Sequence, residues 1–313
     1  MKPTPRLAFL VLTALLFAPV RSAEAQTAAA QTTTAEKDST GGEEFSRVSG
    51  LFDVDLPKTQ PRNRVRVIVH PHFGDLLHRD YLRVPVGFRY GLNDLTELNA
   101  EIDSYLTHGL RKRSAGYGVS ELRLGAKYEW NQWLKPTLDT STGINFRVPL
   151  GRPPLELTDG YNHAAPYVVF SRRLSEWPGF TPFVTLSTDV MWKSSVPGSF
   201  QRNQPHRDSL SVAPGFLWER GAFKYTLVCT YTTTALISRG STNILSINPS
   251  VLWQLPPALV FHTTGRWIVG AGVRVTTGPD GTEVSTGAKL RGEFSLSRLF
   301  GKSPASAGAP AKP

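Results

Sequence analysis

The residues that offer chemistry in this chain are charged side chains recurring at every second position. Arg64 and Arg66 form one such run, and Arg83 and Arg89 a second. Glu97, Glu101 and Asp103 follow, then Glu121, Arg123 and Lys127. Asp139 and Arg147 come next, and Lys289, Arg291 and Glu293 close the series. A two-residue period places side chains on one face of a β-strand. Neighbouring strands lie about 4.8 Å apart, so an acidic run between basic runs predicts a ladder of ion pairs. Most of these charges are read as structural, filling and stiffening a narrow interior. The other chemistry open to them is a polar conduit lined by fixed charge.

Other reactive groups form no constellation. The seven histidines are His70, His72, His78, His108, His163, His206 and His262, and none stands in a His-x-Ser spacing. A Ser nucleophile needs a base within hydrogen-bond reach. His70-Pro71-His72 puts two imidazoles on one strand face, but no third metal ligand follows at useful spacing. The single cysteine, Cys229, excludes an intramolecular disulfide and a Cys-based zinc site. Gly151-Arg152-Pro153-Pro154 and Gly278-Pro279-Asp280-Gly281 are turn signals, and no phosphate-loop or dinucleotide fingerprint is present. No catalytic residue, metal ligand or cofactor is expected.

The elements that must position the charges begin with an export signal. Lys2 and Arg6 precede the apolar residues 7–20, too short for a membrane helix, and Ala23-Glu24-Ala25 reads as a cleavage site. Residues 1–25 are therefore expected to be a signal peptide. Residues 26–61 read as a flexible periplasmic segment or plug, because Thr, Ala, Gln, Gly and Ser dominate residues 26–44 and a short apolar patch occupies 50–56. The low-complexity residues 301–313 read as a disordered tail.

Between 62 and 300, period-2 alternation dominates. Leu82, Val84, Val86, Phe88 and Tyr90 share one face opposite Arg83 and Arg89. Ala288, Leu290, Gly292 and Phe294 alternate with Lys289, Arg291 and Glu293. Further strands are expected near 63–72, 95–106, 115–130, 135–149, 163–173, 180–193, 209–219, 222–234, 242–254 and 258–277. Short connections, including Asn93-Asp94, Asn131-Gln132 and Arg220-Gly221, alternate with longer ones such as 150–162 and 194–208. An even strand number, alternating loop lengths and apolar faces predict an all-β transmembrane antiparallel up-and-down β-barrel of about 12 strands. In this register both termini are periplasmic. Trp130, Trp133, Trp177, Trp218 and Trp253 fall at the short-turn strand ends and Trp192 at the opposite end, as membrane-interface aromatics would. Trp267 reads as mid-strand. Strands 8–10 carry Ser211, Gly215, Thr226, Thr230, Ser246 and Asn248 inside, so any pore or pocket is expected toward that wall.

The net charge of +10 in an exported chain points to outer-membrane lipid and lipopolysaccharide, or to a basic lumen, rather than to nucleic acid. A barrel also implies the barrel-assembly machinery as a partner. Residues 88–98 (FRYGLNDLTEL), 116–128 (GYGVSELRLGAKY) and 248–255 (NPSVLWQL) resemble the outer-membrane barrel family associated with the meta-pathway of phenol degradation. The resemblance spans most of 63–296. It implies a bacterial outer-membrane location and passive passage of small solutes, aromatic or hydrophobic ones among them. It brings no catalytic residues. The alternative reading is a non-conducting barrel with a structural or surface-interaction role.

Overall fold

The computed structural model describes residues 56–295 except 74, 79, 109–115, 136–137, 151–156, 173, 175, 198–207, 238–241, 257–258, 260–265 and 280. The side chains of 77–78, 131–135 and 294–295 also lie outside the description. Twelve strands follow in order: β1 (Arg64–Val69), β2 (Tyr81–Gly91), β3 (Thr96–Thr107), β4 (Tyr117–Lys135), β5 (Leu138–Pro149), β6 (Tyr161–Ser171), β7 (Phe180–Lys193), β8 (Ser209–Arg220), β9 (Phe223–Thr233), β10 (Asn243–Gln254), β11 (Arg266–Gly278) and β12 (Gly281–Ser295). One helical turn, α1 (Asp75–His78), lies between β1 and β2.

Each strand pairs antiparallel with its sequence neighbours, and β12 closes on β1 through Arg64–Ser295 to Val69–Leu290. The result is a closed 12-stranded up-and-down barrel, which leaves no sheet edge unpaired. Apart from the six-residue β1, strands run from 11 to 19 residues, against about 9–11 needed by a tilted membrane-spanning strand. No described helix is long and apolar enough to cross a membrane.

The two faces separate by parity. Phe88, Leu98, Ile102, Leu124, Phe146, Leu186, Leu245 and Leu290 stand exposed on the outside. They come from strands all around the barrel, whereas a water-soluble monomer rarely exposes more than a few hundred Å² of contiguous apolar surface. Inside, the buried residues are largely Ser, Thr, Asn and paired charges. An apolar exterior around a polar interior suits a lipid surround, where closure of the ladder satisfies the backbone groups.

Several expected boundaries are corrected. Asn131-Gln132 is no turn but lies within β4, where the pairing with β5 shifts between Trp130 and Lys135. The ladder runs on to Lys135, and Pro136, which has no N–H to donate, follows. Lys135 therefore belongs to β4, not β5. Among the described residues β11 begins at Arg266, beside Trp267, and most of the stretch expected from 258 lies outside the described residues. The turn expected at Gly278–Gly281 is present: Gly281 takes a positive φ of 111° and pairs with Gly278, and β12 starts there. A register shift between Asp103 and Ser104 against β4 leaves both Ser120 and Glu121 buried. Sequence alternation does not anticipate that bulge.

Candidate functional site: the barrel lumen

The inner wall divides into a charged half and a hydroxyl half. In the charged half, Arg123 on β4 reaches Glu101 (3.0 Å) and Asp103 (2.7 Å) on β3, and Glu121 (3.5 Å) on its own strand. These contacts follow from the register, which sets Glu101 beside Arg123 and Asp103 beside Glu121. Arg89 meets Glu97 at 3.4 Å, and Lys127 meets the same carboxylate at 3.6 Å. Glu293 gathers Arg64 (3.6 Å), Arg66 (3.9 Å) and Arg291 (3.7 Å) across the β12–β1 closure. Arg83 pairs with Asp75 of α1 at 2.8 Å, outside any strand ladder. Arg147 pairs with Asp189 of β7 at 2.9 Å, two strands away. Lys289 is buried opposite Gly270, and Asp139 is half-buried opposite Ser171.

A second cluster joins a loop to the wall. His163 on β6 is 1% exposed and holds Asp189 through Nδ1 (3.0 Å) and Asp159 through Nε2 (3.1 Å). Both ring nitrogens are thus occupied by carboxylates, which leaves no free nitrogen to act as a general base. Asp159 lies in the loop before β6. Burial pushes its carboxyl up, but the His163 hydrogen bond and charge, with Arg147 behind them, override this and hold it down at about 2. The preceding Thr158 is also buried and donates to Glu121 at 2.8 Å.

At the same end, the β1–β2 connection contributes His70, Pro71 and His72. His70 contacts Glu101 at 3.0 Å, and the Ala288 N–H donates to the Pro71 carbonyl. Burial, reinforced by the Arg83 charge, holds His72 well below the ordinary histidine range. The two imidazoles lie 5.8 Å apart. Among the described residues no group of three metal-ligating side chains forms.

The opposite mouth, the short-turn end, is crossed by the segment ahead of β1. Leu56 packs against Phe183, Ala213 and Val228 on the hydroxyl side. Lys127 Nζ, on the charged side, donates to the Leu56 (3.2 Å) and Lys58 (3.1 Å) carbonyls. Glu129 accepts from the Thr59 N–H at 2.9 Å, and Glu97 from the Gln60 N–H at 2.8 Å. Gly91 is what lets this strap approach: a Cβ there would stand 2.2 Å from the Pro61 carbonyl oxygen.

Between strap and loops lies a cavity of about 220 Å³. Arg89, Glu101, Arg123 and Arg147 line one side. Thr185, Ser187, Ser209, Ser211 and Thr230 of β7–β9 line the other. Of the small inward residues singled out from sequence, Ser211 and Thr230 border the cavity, while Gly215, Thr226, Ser246 and Asn248 do not. Asp189 and Arg274, both lumen-facing, escape the sequence reading. The alternation Phe183, Thr185, Ser187, Asp189, Met191 on β7 carries the signal for Asp189.

On the outside, Trp130, Trp177, Trp218 and Trp253 are exposed at the short-turn end, and Trp192 at the other. Phe223 stacks on Trp253 and Trp218 lies against Tyr225, with centroids 6.3 and 5.7 Å apart. The Trp133 side chain lies outside the described residues.

Closed barrel, apolar exterior and polar lumen define a β-barrel of the outer-membrane type. Solved structures agree on the fold. An outer-membrane channel of Pseudomonas putida F1 is similar at a TM-score of 0.51 and 11% identity, covering 77% of this chain and 99% of that one. The NanC porin (TM-score 0.47, 7% identity, 74% and 98% covered) and the KdgM porin (0.42, 8%, 74% and 98%) are more distant. No family model matches the chain, and no curated protein matches it. The likeness to the phenol meta-pathway barrels therefore remains a resemblance.

Proposed function

We propose that the protein is a bacterial outer-membrane channel for passive passage of small solutes. The observation that carries this reading is a solute-sized cavity, lined by charged, hydroxyl and apolar side chains, inside a closed barrel whose outer face is apolar. In this reading both termini are periplasmic, since an even number of antiparallel strands brings the ends of β1 and β12 to the short-turn end. The strap at Leu56–Pro61 narrows the periplasmic mouth. The exposed tryptophans sit at the two membrane interfaces, and lipid and lipopolysaccharide contact the outer face. The patterned β12 serves assembly by the barrel machinery. The mature chain would begin at Gln26 after removal of the signal peptide. Aromatic or hydrophobic cargo follows from the family resemblance alone.

The test is single-channel conductance of the refolded mature protein in a planar bilayer, with and without residues 26–60. Discrete steps that grow on truncation are the expected result. Silence from both forms, when folded and inserted, overturns the channel. It would support the second reading, a closed structural barrel, which is favoured by the buried loop residues Leu157, Thr158 and His70 and by the strap.

A further inference from the structure

We infer that His163 is a proton switch in the lumen wall that shifts ion selectivity toward cations as it loses its proton. The inference rests on the channel reading and adds what sorts the ions that pass.

The surroundings of His163 fit an imidazolium. Its side chain is 1% exposed and stands between two carboxylates. Asp189 of β7 lies 3.0 Å from Nδ1, and Asp159 of the loop before β6 lies 3.1 Å from Nε2. A neutral imidazole has one N–H and one lone pair, so it donates to only one of the two. The doubly protonated ring donates to both. Asp159, held at about 2, stays a carboxylate across the range in which histidines titrate.

The neutral ring has a partner of its own. Arg147 Nη2 lies 3.0 Å from Nδ1 and 2.9 Å from Asp189 Oδ2. Once Nδ1 has lost its proton, its lone pair accepts from Arg147, Arg147 still pairs with Asp189, and Nε2–H still donates to Asp159. Both protonation states are therefore served without moving a strand. What changes is that the wall loses one positive charge.

The lumen feels that charge. Asp189 and Arg147 both line the cavity, so His163 stands one side chain behind its surface. The Debye length is about 8–10 Å at 0.1–0.15 M salt, and a charge this near acts on an ion in the cavity. The other charged groups packed around the site keep their ionic state in this range: Glu121 reaches the loop through Thr158 at 2.8 Å, with Arg123 beside it, and Asp208 accepts from the N–H of Met191, the β7 partner of His163. His70 meets the cavity residue Glu101 through Nε2, so a variant at His163 is needed to separate the two histidines.

The experiment is the reversal potential of the refolded mature protein in a planar bilayer under a KCl gradient, read from about pH 5 to 9. Nuclear magnetic resonance of isotope-labelled histidine in detergent runs alongside. The expected result is a one-proton rise of about threefold in the cation-to-anion permeability ratio as the pH increases, the Boltzmann effect of one unit charge acting across several Å of water. One imidazole resonance, missing from His163→Gln, should titrate at the same midpoint. His163→Gln should hold the high-pH selectivity throughout. Asp159→Asn keeps the imidazole and removes one carboxylate, so it should move the midpoint to lower pH; it also carries the test where His163→Gln gives no heat-modifiable barrel. A ratio that is flat with pH overturns the switch, as does a His163→Gln channel that titrates like the parent or an Asp159→Asn midpoint that stays in place. Conducting steps with pH-independent selectivity sink the switch and spare the channel. A titrating imidazole in a barrel that never conducts sinks the channel and the selectivity role with it.

Discussion

Replacing Lys127 with Met tests whether the strap ahead of β1 is held by charge. Lys127 is 3% exposed in its side chain, and its ammonium donates to the Leu56 and Lys58 carbonyls while facing Glu97. Hydrogen bonds from a charged group contribute about 1.5–3 kcal/mol each. Met keeps most of the volume, and Glu97 retains Arg89 and the Gln60 N–H as partners. The two bonds share one ammonium and are not additive, so the loss is about 2–4 kcal/mol of docking free energy, or roughly 30- to 700-fold in the undocked population. Lys58 is exposed and sits within the strap, so tryptic cleavage after it reports undocking when reclosure is fast. Cleavage in Lys127→Met should accelerate toward the rate of a freely accessible site, with the barrel still heat-modifiable. An unchanged rate in a folded variant would refute the claim that Lys127 holds the strap.

Three further outcomes follow from the same structure. Gly91→Ala should loosen the strap by about 1–3 kcal/mol of overpacking without altering charge, read by the same cleavage assay, because its Cβ meets the Pro61 and Gln60 carbonyls. Val86→Arg or Leu290→Arg, each placing a cation on the lipid face, should lower assembly by about 2–4 kcal/mol near the midplane; normal heat-modifiable barrels from both would refute the register. The Asp159 carboxyl is depressed from its ordinary 3.8 to about 2. Its contribution, about 2 kcal/mol, is therefore fully present above pH 3.8 and is lost as the pH falls through 2. Thermal stability of the parent should fall in that window, and Asp159→Asn should flatten the fall.

Strand parity was legible in the sequence because it is local. A period of two assigns each residue of a strand to one face without reference to its partners, so Arg83 and Arg89, or Lys289 and Arg291, separate from Val86 and Leu290 by counting alone. Strand number followed from turn signals at nearly regular intervals, and Gly278 to Gly281 marked its own turn through glycine. Boundaries were less legible where a turn has no strong chemistry. Asn131-Gln132 looks like a connection, but β4 continues past it to Lys135, which still pairs with Leu138 of β5.

Pairing across the lumen needed the tertiary structure. Asp159, His163, Arg147 and Asp189 come from a loop and three strands, and their meeting depends on barrel closure and curvature, which no local period encodes. The bulge at Asp103/Ser104 likewise arises between strands, where two ladders of unequal length must be reconciled. The strap is the clearest case: residues 56–61 carry no strand pattern, and their place follows from what the finished barrel offers, Lys127, Glu97 and Glu129 on one wall and Phe183, Ala213 and Val228 on the other. The sequence alone determined which side chains face inward, because that is set residue by residue along the chain. Which of them meet, and what space they leave between them, was decided only when twelve strands closed into one ring.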